Sequence, residues 1–163
     1  MAAASGRRHI ASATGARRLR VFLDANVFFS GIAFPKGPPG CILELYAAGE
    51  IEVVISRQVL EEVARAIREK APQALDPLQR LVAAMPPEVV PDPAPAEVAP
   101  WAQVTNPADA PILAAAVKAQ PNFLVTGDGQ FLAPRVAQAA GLRIVPPQQF
   151  IDRQEGTEGK AKA

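Results

Sequence analysis

The sequence predicts an α/β fold, a central parallel β-sheet with helices on its faces. Three observations predict it. Four short runs of apolar, β-branched or aromatic residues are each bounded by turn signals, the pattern of strands buried on both faces. Helical patterning fills the intervals between them. The alternation persists along the chain without an internal repeat, and alternating β and α segments favour a parallel sheet. With 163 residues, 49% of them hydrophobic, the chain can bury one substantial core.

Residues 1–18, MAAASGRRHIASATGARR, hold Arg and Ser but no acid. That composition is similar to an organelle transit peptide; the reading taken here is a disordered basic leader. The first strand, 20–23, runs into Asp24, with Asn26 and an apolar Val27-Phe28-Phe29 behind it. A helix over 39–48 stops at Gly49. The second strand is 51–55. Ser56 then caps a long helix whose Val59, Leu60, Val63 and Ile67 share one face. A further helix spans 75–85.

The stretch 85–100, MPPEVVPDPAPAEVAP, is too rich in proline for regular helix. It is expected to be a surface connection with a short extended strand at 88–90. Asn106-Pro107, a cap followed by a first-turn proline, opens an Ala-rich helix at 109–119. A strand at 123–126, a helix at 134–140 stopped by Gly141, and a strand at 143–145 complete the alternation. The domain is therefore expected to cover 19–151. The tail, 152–163, with RQEGTEGKAKA from Arg153, is expected to be disordered.

Composition narrows the chemistry. The formal net charge is +1, so a nucleic-acid partner has to be argued from a site rather than from a basic excess. One cysteine, Cys41, excludes a disulfide framework and a Cys-based zinc site. Within CILELYAA it is expected to be a small buried hydrophobe. The single histidine, His9, lies in the leader, which removes Ser-His-Asp catalysis and the usual histidine acid–base chemistry. Carboxylates are left to carry any reaction. The apolar runs are too short for a membrane helix, and without a signal-peptide core a reducing cytoplasm is the default.

In a parallel α/β sheet, ligands bind along the edge formed by the C-terminal ends of the strands. Asp24 follows the first strand directly, Asp128 lies in the turn Thr126-Gly127-Asp128-Gly129 after the 123–126 strand, and Asp109 stands in the first turn of its helix. All three belong to that edge. Glu61 falls opposite the apolar stripe of its helix and has Arg65 four residues on as a surface partner. Glu62 lies on the flank of the stripe, about two turns in, where its longer side chain can reach back towards the edge. Each acid also has an ordinary structural role open to it: loop amides for Asp24, a capping position for Asp109, the turn itself for Asp128, solvent for Glu62. Clustered carboxylates repel, and a divalent cation such as Mg²⁺ or Mn²⁺ removes the penalty. So held, it can activate water and polarise a phosphodiester.

The ordered acids and their surroundings resemble the PIN-domain ribonucleases, more narrowly the VapC-like toxin components of toxin–antitoxin pairs. The resemblance is carried by VFLDANVFFSG around Asp24, SRQVLEEVARAI around Glu62, NPADAPILAAA around Asp109, FLVTGDGQFL around Asp128 and the closing LRIVPPQQFI, and covers residues 19–151. It implies a three-layer α/β/α sandwich, a metal-dependent ribonuclease acting on RNA, an antitoxin partner and a homodimer. It also implies that Asp24, Glu62, Asp109 and Asp128 hold one or two Mg²⁺ or Mn²⁺, supported by Asn26 and Thr126. Asn106 stands where related proteins often carry Asp, which puts metal or water binding at that position in doubt. A non-catalytic PIN-like scaffold binding RNA or protein is the alternative. A Mg-dependent phosphatase-like domain is a weaker one, because its pattern wants a second Asp where Asn26 stands.

Overall fold

The computed structural model describes residues 18–162, so most of the basic leader, with His9, lies outside the described residues. Five strands form the sheet: β1 (Leu19–Leu23), β2 (Ile51–Ser56), β3 (Glu88–Val90), β4 (Phe123–Val125) and β5 (Ile144–Val145). Their order is β3-β2-β1-β4-β5. Every pairing is parallel, with Val21 opposite Val53 on one side and Phe123 on the other. The four expected strands are present, and the short strand foreseen at 88–90 forms the edge beside β2.

Among the described residues seven α-helices lie between the strands, α1 (Ala25–Ala33), α2 (Pro38–Ala47), α3 (Arg57–Lys70), α4 (Leu75–Ala84), α5 (Pro95–Val98), α6 (Ala110–Ala119) and α7 (Pro134–Ala140), and an eighth, α8 (Pro147–Lys162), follows β5. Helix α1 packs on α2 and α3, and α8 packs on α2. Helix α6 lies against β2 and the 3-10 turn Ala99–Gln103. This is the α/β sandwich that the alternation predicts. Its core runs through the sheet: Val21, Phe22, Leu23, Ile55, Leu124 and Val125 are fully or almost fully buried, with Val59, Val63 and Ile67 of α3 packed on them.

Local signals act where expected. The Ser56 hydroxyl accepts from the Val59 amide at 3.2 Å and starts α3. Gly49 and Gly141 take positive φ after α2 and α7. Gly31 and Gly40 have a different purpose. A Cβ on Gly40 would lie 1.9 Å from the Pro35 carbonyl oxygen, and one on Gly31 would lie 2.7 Å from Leu43. Only glycine lets α1 and α2 approach this closely.

Some expectations need correction. Helix α1 was not foreseen: its nine residues mix aromatic, β-branched and glycine positions, which carry weak helix propensity. Asp24 nucleates it as the N-cap, and packing on α2 holds it. The Pro-rich stretch is not devoid of helix, since Pro95–Val98 forms a single turn with proline at its start, where the missing N–H costs nothing. Helix α8 runs on past Ile151, the expected end of the domain, to Lys162. Cys41 is half-buried at the rim of the core rather than enclosed in it. Glu61 pairs with Arg57 at 3.5 Å, one turn earlier, and not with Arg65.

Candidate functional site

The sheet has a switch point at β1. From it the chain first builds outwards through β2 to β3, then crosses to β4 and β5 on the other side. At such a point the two connections leave in opposite directions and open a crevice beyond the strand ends. Asp24 and Thr126 face each other across it, the residues directly after β1 and β4.

Asp24 is buried, and each of its two oxygens accepts a hydrogen bond. Its backbone N–H donates to the Val125 carbonyl at 3.0 Å, which ties the start of α1 to the end of β4. Oδ1 accepts from the Ala25 amide at 2.8 Å. Oδ2 accepts from the Thr126 hydroxyl at 2.7 Å and, more weakly, from Asn26 Nδ2 at 3.4 Å. Thr126 Oγ1 in turn accepts from the Asp128 amide at 3.0 Å, and Asn26 Oδ1 from the Gly127 amide at 3.2 Å. Asn26 and Thr126 therefore stitch the 126–128 turn onto the first turn of α1.

Asp109 immediately precedes α6. Asn106 grips it twice: Asn106 Oδ1 accepts from the Asp109 amide at 2.9 Å, and Asn106 Nδ2 donates to Asp109 Oδ2 at 2.7 Å. The Asn cap thus closes one turn ahead of the α-helix proper, which begins at Ala110. Glu62, in the second turn of α3, accepts from Gln58 Nε2 at 2.9 Å. Gln58 is itself held by its backbone N–H donating to Asp92 Oδ1 at 3.0 Å. Asp128 Oδ1 accepts from the Gln130 amide at 2.8 Å.

Electrostatics show that the four acids share one region. Burial pushes the Asp24 carboxyl above its ordinary pKa. The Thr126 and Ala25 hydrogen bonds oppose the rise, and the charges of Asp109 and Glu62 add to it. Asp109 is likewise raised, first by burial, against the Asn106 hydrogen bond, and then by the charge and hydrogen-bonding proximity of Asp128 and the charge of Glu62. Asp109 and Glu62 thus repel Asp24, and Asp128 and Glu62 repel Asp109, which links acids from four separate segments of chain.

Among the described residues no group of three or more His, Cys, Asp or Glu side chains stands arranged to hold a metal ion. The donor set still fits a hard divalent cation. All four candidate donors are carboxylates, and Mg²⁺ usually takes one or two of these directly and keeps several waters. A soft metal finds no thiol or imidazole here. No helix among the described residues is long and apolar enough to cross a membrane.

Three neighbours of the acids escaped the sequence reading: Gln58, Asp92 and Gln130. Gln58 had a signal, its i, i+4 spacing to Glu62. Gln130 had a weaker one, two residues beyond an Asp in a turn. Asp92 had none, because it reaches Gln58 from a proline-rich connection distant in sequence.

A family model described as "PIN domain" matches residues 20–130. Comparison with curated protein sequences gives no match. Among solved structures, 19 chains match. One is VapBC2 from Rickettsia felis bound to a DNA fragment from their promoter, at a TM-score of 0.56 and 18% identity, covering 78% of this chain and 98% of that one. Another is PAE2754 from Pyrobaculum aerophilum, at a TM-score of 0.61 and 16% identity, covering 85% of this chain and 90% of that one. At these identities the likeness is one of fold.

Proposed function

The chain belongs to the PIN-domain family, and from that premise we propose that it is a metal-dependent ribonuclease, hydrolysing RNA phosphodiester bonds as the toxin of a toxin–antitoxin pair. The reading is carried by the four acids as neighbours: the charges of Asp109 and Glu62 act on Asp24, and those of Asp128 and Glu62 act on Asp109. A protein gains nothing in stability by massing acids together; a site for a cation and a phosphate gives them a purpose.

Asp24, Glu62, Asp109 and Asp128 would hold Mg²⁺ or Mn²⁺, which when bound lowers the pKa of water and polarises the phosphodiester. The remaining work belongs to the chain. Thr126 and Asn26 fix the Asp24 carboxylate in one orientation, and Asn106 does the same for Asp109. Hydrolysis forms one bond from phosphorus to the water oxygen and breaks one to a ribose oxygen, which leaves with a proton. None of these tasks requires histidine. An antitoxin partner, a homodimer and a cytoplasmic location belong to the same reading. The shared fold of VapBC2, solved on promoter DNA, supports its toxin–antitoxin part.

The test is cleavage of a mixed single-stranded RNA by the purified chain with Mn²⁺, with Mg²⁺ and with EDTA, alongside Asp24→Asn. Cleavage by wild type only with metal, and none by the variant, is expected. RNA binding without cleavage under every condition would favour the scaffold alternative and sink the nuclease.

A further inference from the structure

Asp109 and Asp128 come from different connections, one before α6 and one after β4, yet their like-charged carboxyls stand side by side. Something must hold them there against repulsion. Besides the hydrogen-bonding contact of the two carboxyls themselves, two polar ties among the described residues link the first connection to the segment after β4. One is Arg135, whose guanidinium donates to the Val104 carbonyl at 2.9 Å, at the far end of the first connection. The other joins the acids' own neighbours: Asn106 Nδ2 donates to Gln130 Oε1, and the Gln130 backbone N–H donates to Asp128 Oδ1.

Resting on the metal-centre reading above, we propose that the Asn106–Gln130 amide pair is a clasp that sets the separation of Asp109 and Asp128, and that Gln130 is a positioning residue of the site. The chemistry of the amide suits the task. Asn106 Nδ2 has two hydrogens, one for Asp109 Oδ2 and one for Gln130 Oε1, while its Oδ1 receives the Asp109 amide. Both its donor hydrogens are used, and the Asp109 carboxylate and amide together fix which way the Asn106 side chain faces. A carboxylate at position 106 could not donate to either acceptor. A lysine or arginine could, but its charge would neutralise the acids and compete with a cation. A neutral donor holds the two carboxylates while leaving their full negative charge in place.

Two substitutions isolate the clasp. Gln130→Leu keeps bulk and removes the acceptor. Asn106→Ser keeps an oxygen that can cap the Asp109 amide but is too short to reach residue 130. In metal-free protein, amide hydrogen exchange followed by NMR should show effects crossing between connections. Asn106→Ser should cost the Gln130 amide its protection, and Gln130→Leu should do the same to the Asp109 amide. The melting temperature of Gln130→Leu should stay at the wild-type value, since an exposed amide pair adds little to global stability. By calorimetric titration, Gln130→Leu should weaken Mn²⁺ binding on the order of tenfold or more, the scale of outer-shell effects. The double variant should bind no more weakly than Asn106→Ser alone, because both changes break one contact. Unaltered exchange across the connections, or losses of affinity that multiply in the double variant, would overturn the clasp. Wild type that fails to bind Mn²⁺ while the exchange effects persist would instead overturn the metal-centre reading and leave the clasp standing.

Discussion

At the level of single residues, Asp24 is a carboxylate placed where its charge is disfavoured. Burial and the charges of Asp109 and Glu62 raise its pKa above the usual aspartate value of 3.8. A raised value means that the folded chain holds the proton more tightly than the unfolded chain. Over the range just above 3.8 the metal-free fold therefore loses stability as pH rises. Asp24→Asn removes the charge and keeps an oxygen for the Ala25 amide. The variant gives up an acceptor for the Thr126 hydroxyl, but in EDTA it is expected to lack the wild type's loss of stability as pH rises through this range. Urea unfolding across a pH series reads this directly; the same pH dependence in wild type and variant would mean that Asp24 is not the carboxyl whose proton the fold retains. Thr126 is the counterpart. Its buried hydroxyl both donates to Asp24 and accepts from the Asp128 amide, so Thr126→Val should cost about 1–3 kcal/mol, the usual result of leaving buried polar groups unmatched. Asp24 was legible in the sequence because it directly follows a strand, whereas Thr126 was read as the last residue of its strand and its supporting role came only from the family resemblance. What the sequence could not show is the bond between them, which spans 102 positions and exists only once β1 and β4 are neighbours.

Among the elements, the corner of α1 and α2 decides how Asp24 is presented, since α1 starts from it. Gly40 lies in van der Waals contact with the Pro35 backbone, leaving no volume for a methyl group. Gly40→Ala should therefore force the corner apart and destabilise the fold by about 1–3 kcal/mol or more, seen as a lowered urea midpoint with an unchanged slope. An equally stable variant would show that the corner can shift freely. Helix α3 presents Glu62 in a comparable way, with the Asp92 carboxylate receiving the Gln58 amide at its first turn. Loss of that cap in Asp92→Ala should cost about 0.5–2 kcal/mol. Helices α2, α3, α4, α6 and α7 were readable because each has a cap, a stop or an apolar stripe. Helix α1 was not, because its hydrophobicity runs all round and its glycine serves packing rather than termination. Proline content hid α5 for a related reason: proline forbids a helix interior but suits a first turn. Asp92 was invisible as a cap, since its helix lies 34 residues away.

Across the whole molecule, the sheet-edge rule assigns Asp24, Asp109 and Asp128 to one edge without the strand order, because the C-terminal edge is common to every strand of a parallel sheet, while Glu62 is reached only through the angle of its helix. The order then explains why they crowd at β1, where the connections part. A chain with net charge +1 that gathers acids at this one place has a local field opposite to its overall balance. RNA is a polyanion, and without a cation that field should repel it. In EDTA at low ionic strength, Asp109→Asn should therefore bind a short uncleavable RNA more tightly than wild type does. Added Mn²⁺ should strengthen wild-type binding and narrow the difference, and added salt should narrow it too by screening the repulsion. Fluorescence anisotropy with a labelled oligonucleotide measures all three conditions. Equal affinity of the two proteins in EDTA would place the RNA path away from the acidic edge, since a phosphate approaching Asp109 cannot ignore the loss of its charge.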